Sequence, residues 1–145
     1  MNRCCNSLEN PEGQMVPTKT NRQAIEDLYA SFEDHDRGPA YACFTDDTVW
    51  EEPAGNERSG VFRGVVEIAL HAIHCRKLTD STFGSEVLEI LVGMRYVVVV
   101  ERALGLRNGM ALNMLVNTVF EMTDGVIHKV RVLPFDCQKW NEFWS

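Results

Sequence analysis

The stretch Phe44-Thr-Asp-Asp-Thr-Val-Trp-Glu-Glu-Pro-Ala-Gly-Asn-Glu-Arg-Ser-Gly60 decides how the chain is read. Side chains alternate across a strand, so Thr48, Trp50 and Glu52 project to one face while Val49 and Glu51 project to the other. Pro53 lacks a backbone donor and stops the ladder, and Gly55 with Asn56 supplies turn chemistry. Glu52 is thereby placed beside Trp50 at the end of a strand. If that face is buried, loss of hydration raises the carboxyl pKa toward the range useful for proton transfer. The alternative is that Trp50 is core and both glutamates are rim charges that meet water where the strand ends.

Upstream, residues 1–19 are polar with scattered apolar residues and cannot bury enough surface to offset ordering entropy, which predicts a flexible tail before a single domain over 20–145. Thr20 or Asn21 can cap a helix in which Ala24, Ile25, Leu28, Tyr29 and Phe32 recur at helical spacing. The run Glu33 to Gly38 breaks it, and Pro39 suits the first turn of a short second helix. Downstream, Val65 to Lys77 reads as a third helix with Val66, Ala69, Leu70 and Ile73 on one face and a basic end suited to the helix dipole. From Phe83 the period changes: Val87–Val92, Arg95–Arg102, Ala111–Met122 and Val126–Leu133 are rich in β-branched residues and separated by glycine-containing breaks. Thr123-Asp124-Gly125 is a strong hairpin signal. The segment from Ala103 to Gly109 reads as a partly apolar loop able to act as a lid. Helices first and strands later predict an α+β domain with the helices packed on one curved sheet.

The chain has 145 residues and a formal net charge of -7, with no basic run, which argues against a nucleic-acid surface. Five cysteines without Cys-x-x-Cys spacing argue against a disulfide framework and a zinc site. No apolar run is long enough for a signal peptide or a membrane span, so a cytoplasmic protein with no membrane partner is expected. Neither a Gly-x-Ser-x-Gly nor a phosphate-binding glycine loop occurs, and no cofactor is expected.

Several polar groups compete for a functional role. Asn113, Leu115 and Asn117 share one face of a long apolar strand, where two amides beside a carboxylate can hold a substrate carbonyl, unless that face is the wetter side of the sheet. His71 and His74 lie one turn apart without a third ligand of matching spacing, and read as solvated helix histidines rather than a metal site. Glu101 ends a valine-rich strand much as Glu52 does, and is either a second pocket carboxylate or an edge charge. Trp140, Phe143 and Trp144 at helical spacing either cover the sheet or meet a second subunit.

The order helix, helix, strand with an acid before Pro, Ser-Gly, helix, then a run of strands resembles the ketosteroid isomerase-like cone, also called nuclear transport factor 2-like, which includes the SnoaL-like polyketide cyclases. The resemblance covers roughly residues 21–137, and its most specific piece is Phe44-Thr-Asp-Asp through Glu52-Pro-Ala-Gly to Ser59-Gly60. It implies a curved mixed or antiparallel sheet wrapped around the helices to enclose a pocket. Glu52 falls on the isomerase's general base and Asn117 on its protonated oxyanion acid, counting back from Gly125. Leu28 falls on the oxyanion tyrosine, with Tyr29 one residue out of register and about 100° away on a helix. That departure argues against steroid isomerisation. The resemblance implies instead a cofactor-independent cyclase of polyketide or polyketide-peptide biosynthesis, acting on an apolar substrate, with [4+2] closure as one route. Glu52 and Asn117 would be catalytic, and Trp50, Leu28, Tyr29, Asn113, Leu115 and Glu101 would bind substrate. An isomerase or epoxide hydrolase of the same fold, or a non-catalytic binding module, is the alternative. The resemblance also implies a homodimer through the outer face of the sheet.

Overall fold

The computed structural model describes residues 19–33 and 39–145. The tail expected over residues 1–19 lies, apart from Lys19, outside the described residues, as does most of the break after Glu33. Helix α1 (Asn21–Glu33) opens on a reciprocal cap. The Gln23 N–H donates to Thr20 Oγ1 at 3.2 Å and the Thr20 N–H donates to Gln23 Oε1 at 3.0 Å, so two otherwise orphaned donors are satisfied. Its buried side is Ala24, Ile25 and Leu28, as the helical spacing predicts. A short 3-10 turn over Pro39–Cys43 leads to strand β1 (Val49–Glu52).

Strand β2 (Gly60–Arg63) pairs antiparallel with β1 and runs directly into helix α2 (Gly64–Leu78). The residue pattern gives no sign of this strand, since Ser59-Gly60 reads as a break before a helix. Gly64 makes the junction possible: its φ of +80° suits only glycine, and an added Cβ would stand 3.0 Å from the Asp46 carbonyl oxygen. Its N–H donates to the Thr48 carbonyl at 2.8 Å, which fixes where the helix starts.

Strands β3 (Gly84–Val92), β4 (Tyr96–Arg107), β5 (Met110–Thr123) and β6 (Val126–Pro134) follow, then helix α3 (Cys137–Trp144). The six strands form one curved, unclosed sheet in the order β2-β1-β6-β5-β4-β3. All neighbours are antiparallel except β1 and β6, where Val49, Trp50 and Glu51 register with Lys129, Val130 and Arg131. The sheet is therefore mixed. The expected lid is not a loop: Ala103 to Arg107 continues β4, and Asn108 and Gly109, both at positive φ, turn tightly into β5. A two-residue turn of this kind matches the twist of the strands it joins, so the strand simply runs on.

Two packed clusters fill the concave side. Ile25, Leu28, Val97, Phe120, Met122 and Ile127 pack under α1, and Met114, Val116, Val132, Trp140, Phe143 and Trp144 pack under α3. The C-terminal aromatics thus cover the chain's own sheet. Helix α2 reverses its expected face. Val66, Leu70 and Ile73 are 72%, 59% and 42% exposed, while Ile68, His71 and Cys75 are buried. Among the described residues no helix is long and apolar enough to cross a membrane.

A candidate active site inside the cone

The loop between β1 and β2 folds back on itself. Ser59 Oγ donates to the Pro53 carbonyl at 2.6 Å, the Asn56 N–H donates to Ser59 Oγ at 3.0 Å, and the Arg58 N–H donates to Asn56 Oδ1 at 2.8 Å. Asn56 Nδ2 also donates to Asn141 Oδ1 on α3 at 2.7 Å, tying the loop to the C-terminal helix. The turn returns the Arg58 side chain to Glu52, where Nη2 donates to Oε1 at 3.0 Å. Trp50, on the same strand face as Glu52, donates its Nε1 proton to the same oxygen at 2.8 Å. His71 Nε2 lies 3.1 Å from it. Three groups thus converge on Oε1, and Oε2 is buried without a partner.

Burial alone would push the Glu52 carboxyl up, but the Arg58 guanidinium and the His71 contact outweigh it and hold the pKa below its ordinary value of 4.5. This corrects the expectation of a raised pKa, because the strand-end reading had no cation beside Glu52. An ionised Glu52 only accepts, so the contact needs the His71 proton on Nε2. The ring is fixed by stacking on Phe62, with centroids 4.0 Å apart. Cys75 Sγ is 3.8 Å from Nδ1 and 3.7 Å from Nε2, off the lone-pair direction of either. Burial pushes that thiol up to about 11, so it is not an activated nucleophile.

A second carboxyl sits on another wall. Glu101 on β4 is 6% exposed and accepts from Thr118 Oγ1 at 2.6 Å. Burial pushes its pKa up, and the hydroxyls of Thr118, Ser85 and Tyr29 only partly oppose this. Burial, then the Glu101 charge, likewise push Tyr29 well above its ordinary value, so it stays a phenol. Tyr29, Trp50, Arg58, His71, Glu101 and Trp140 all border one cavity of about 400 Å³, within the range of small-molecule sites. Among the described residues no cluster of three or more metal-ligating side chains occurs.

No family model matches the sequence, and no curated protein does. Solved structures do match. Bal32a from a soil-derived mobile gene cassette is 25% identical, with a TM-score of 0.81 over 86% of this chain and 96% of that one. An NTF2-like protein of unknown function from Burkholderia pseudomallei is 18% identical, with a TM-score of 0.77 over 86% of this chain and 97% of its own. A protein from Shewanella denitrificans, provisionally named a SnoaL-like polyketide cyclase, is 11% identical, with a TM-score of 0.67 over 85% and 95% of the two chains. The chain has the NTF2-like cone fold.

Within that cone the residues singled out from sequence divide into two groups. Trp50, Tyr29 and Glu101 border the cavity, and Glu52 stands just behind Trp50, Arg58 and His71. Leu28, at the position read as the oxyanion tyrosine, is 1% exposed in the core, and Tyr29 turns to the cavity in its place. Asn113, Leu115 and Asn117 do not join them. On β5 the buried positions are Leu112, Met114, Val116, Thr118 and Phe120, so the asparagines occupy the convex face. Asn113 accepts there from Arg102 Nη1 at 3.1 Å. Thr118, one residue along from Asn117, is the polar group that β5 gives to the cavity.

Arg58 has no place in the sequence reading, and His71, expected with His74 to be solvated, is instead buried at 6% exposure while His74 is exposed. Arg58 lies in a turn whose residue types predict only a reversal of direction. His71 has a detectable signal, since Ile68, His71 and Cys75 form an i, i+3, i+7 stripe, but the apolar stripe on the other side of the helix is stronger.

Proposed function

We propose that this chain is a cofactor-independent cyclase of SnoaL-like type that closes a carbocycle on an apolar, polyketide-like substrate by proton transfer. The observation that carries the reading is the buried His71–Glu52 couple facing the same cavity as Glu101. His71 Nδ1 takes a proton from carbon beside a carbonyl, Glu52 stabilises the imidazolium through Nε2–H, and Glu101 in its acid form donates a hydrogen bond to that carbonyl oxygen; the enolate carbon then adds to a second carbonyl of the same substrate, whose oxygen takes the proton back from His71. Two titratable groups with opposite proton preferences are the arrangement acid–base chemistry needs. A pericyclic [4+2] closure needs none of them, so the polar lining favours proton transfer over that route. Epoxide hydrolysis draws less support, because Asn117 lies across the sheet and only Glu101 shares the cavity.

Exchange of the α-protons of 2-tetralone in deuterated buffer tests the reading by NMR. The chain is expected to accelerate exchange, and His71→Ala and Glu101→Gln each to lower the acceleration by about 10². Exchange at the buffer rate, or variants equal to the parent chain, sinks it. A second reading has one observation in its favour: the Glu52–Arg58 pairing suits a non-catalytic binding module. Tight binding of 2-tetralone with no exchange would point to that module.

A further inference from the structure

Arg58 makes less use of its guanidinium than burial demands. The residue is 7% exposed, and of its side-chain nitrogens Nη2 reaches Glu52 while Nε and Nη1 are buried with no hydrogen-bond partner. Its Cζ lies 4.7 Å from the Phe83 ring centroid, 5.1 Å from Trp140 and 4.9 Å from Trp144. Ring faces favour the cation but accept no in-plane hydrogen bond, so they cannot satisfy the two open donors. Leaving a charged donor buried and unpaired costs more than leaving a neutral one so. The arginine is nonetheless held in place by its backbone hydrogen bond to Asn56 and its bond to Glu52, and it borders the cavity. A group built in so firmly with idle donors at a cavity wall is prepared for an acceptor that arrives from outside.

We propose that Arg58 is the anion-binding group of this cavity, and that the ligand class is a flat, apolar body carrying a carboxylate or enolate oxygen that accepts from Nε or Nη1. Phe83, Trp140 and Trp144 enclose the guanidinium, so water that would weaken the contact is displaced, and the flat walls set the shape of the ligand. The proposal rests on the cyclase reading only in taking the same cavity as the substrate site. Within that reading, an enolate formed by proton loss to His71 is held at Arg58.

Calorimetric titration with 2-naphthoate and with neutral 2-naphthamide, which share one flat body, tests this. Naphthoate is expected to bind at least about tenfold tighter, equivalent to about 1.4 kcal/mol. Glu52→Gln leaves Arg58 in place without its counter-charge and is expected to widen the preference by a further tenfold or so. The charge-balanced double variant Glu52→Gln with Arg58→Met is expected to abolish it while naphthamide binding persists. An Arg58 with a purely structural role would move none of these ratios. Equal affinities for the two probes, no binding of naphthoate, or an unchanged preference in Glu52→Gln overturns the proposal. Because affinity is read apart from exchange, an anion preference without 2-tetralone exchange would remove the cyclase reading and leave this one, and the converse would do the opposite.

Discussion

Glu52 and Glu101 are both buried carboxyls, yet their surroundings drive their protons in opposite directions, since Glu52 shares its Oε1 with Arg58 and His71 while Glu101 has neutral hydroxyls. The consequences for stability have opposite signs. Glu52, lowered by folding, contributes stability that is present above 4.5 and lost as pH falls through its folded value. Glu101, raised by folding, contributes stability present below 4.5 and lost as pH rises through its folded value. Thermal melts should therefore show Glu101→Gln gaining on the parent chain between about pH 4 and about pH 8. Glu52→Gln should lie below the parent chain by a constant margin above about pH 5, up to about 3 to 5 kcal/mol where Arg58 is left unpaired, and the margin should shrink as pH falls below 4.5. A Glu101→Gln curve parallel to the parent above pH 4.5 would contradict the assignment for Glu101, and a Glu52→Gln margin unchanged below pH 4.5 would contradict that for Glu52. At this scale the sequence was half legible. Alternation along Thr48 to Glu52 puts Trp50 and Glu52 on one face but leaves open whether that face is buried, and no local pattern reports that Arg58, six positions on, folds back to meet them.

Helix α2 and strand β5 show why the inner face of an element can escape the residue pattern. On α2 the more apolar face reads as the inner one, and on β5 the two asparagines compete for it; in each the inner face carries a polar group for the cavity, His71 or Thr118. A polar residue at the wall of a cavity thins the very apolar stripe that would reveal it. The element boundaries were easier, because Pro39, Gly93 and Thr123-Asp124-Gly125 break the chain by backbone chemistry that tertiary packing does not override. The apolar stretch around Leu104 and Leu106 was lost for the opposite reason: glycines at 105 and 109 looked like a loop, yet only Gly109 occupies a turn. The exchange of faces on α2 has a direct check. Ile68→Ala should cost about 2 to 5 kcal/mol in chemical denaturation, and Leu70→Glu should stay within about 0.5 kcal/mol. The reverse ranking would restore the face inferred from periodicity.

The molecule as a whole leaves large apolar side chains exposed on its convex sheet face beside the charged ones. Leu91, Leu104, Leu133 and Phe135 are 48%, 38%, 49% and 61% exposed there, and Asn117 Oδ1 among them is buried without a partner. We propose that a second copy covers this face and supplies a donor to Asn117. Light scattering should give twice the chain mass of 16.5 kDa, and Leu133→Glu should reduce it to that of one chain. A single-chain mass for the parent protein excludes the dimer. The parallel seam between β1 and β6 has another consequence. It joins Val49 to Lys129 across most of the domain, and Thr48 Oγ1 donates to the Ile127 carbonyl at 2.6 Å over the same gap. Closing so long a segment delays the seam relative to local hairpins, because entropy is lost before any contact compensates it. Glu52, Arg58 and His71 thus stay hydrated through most of folding, and their charges are taken out of water only when β6 and the Trp140–Trp144 roof arrive.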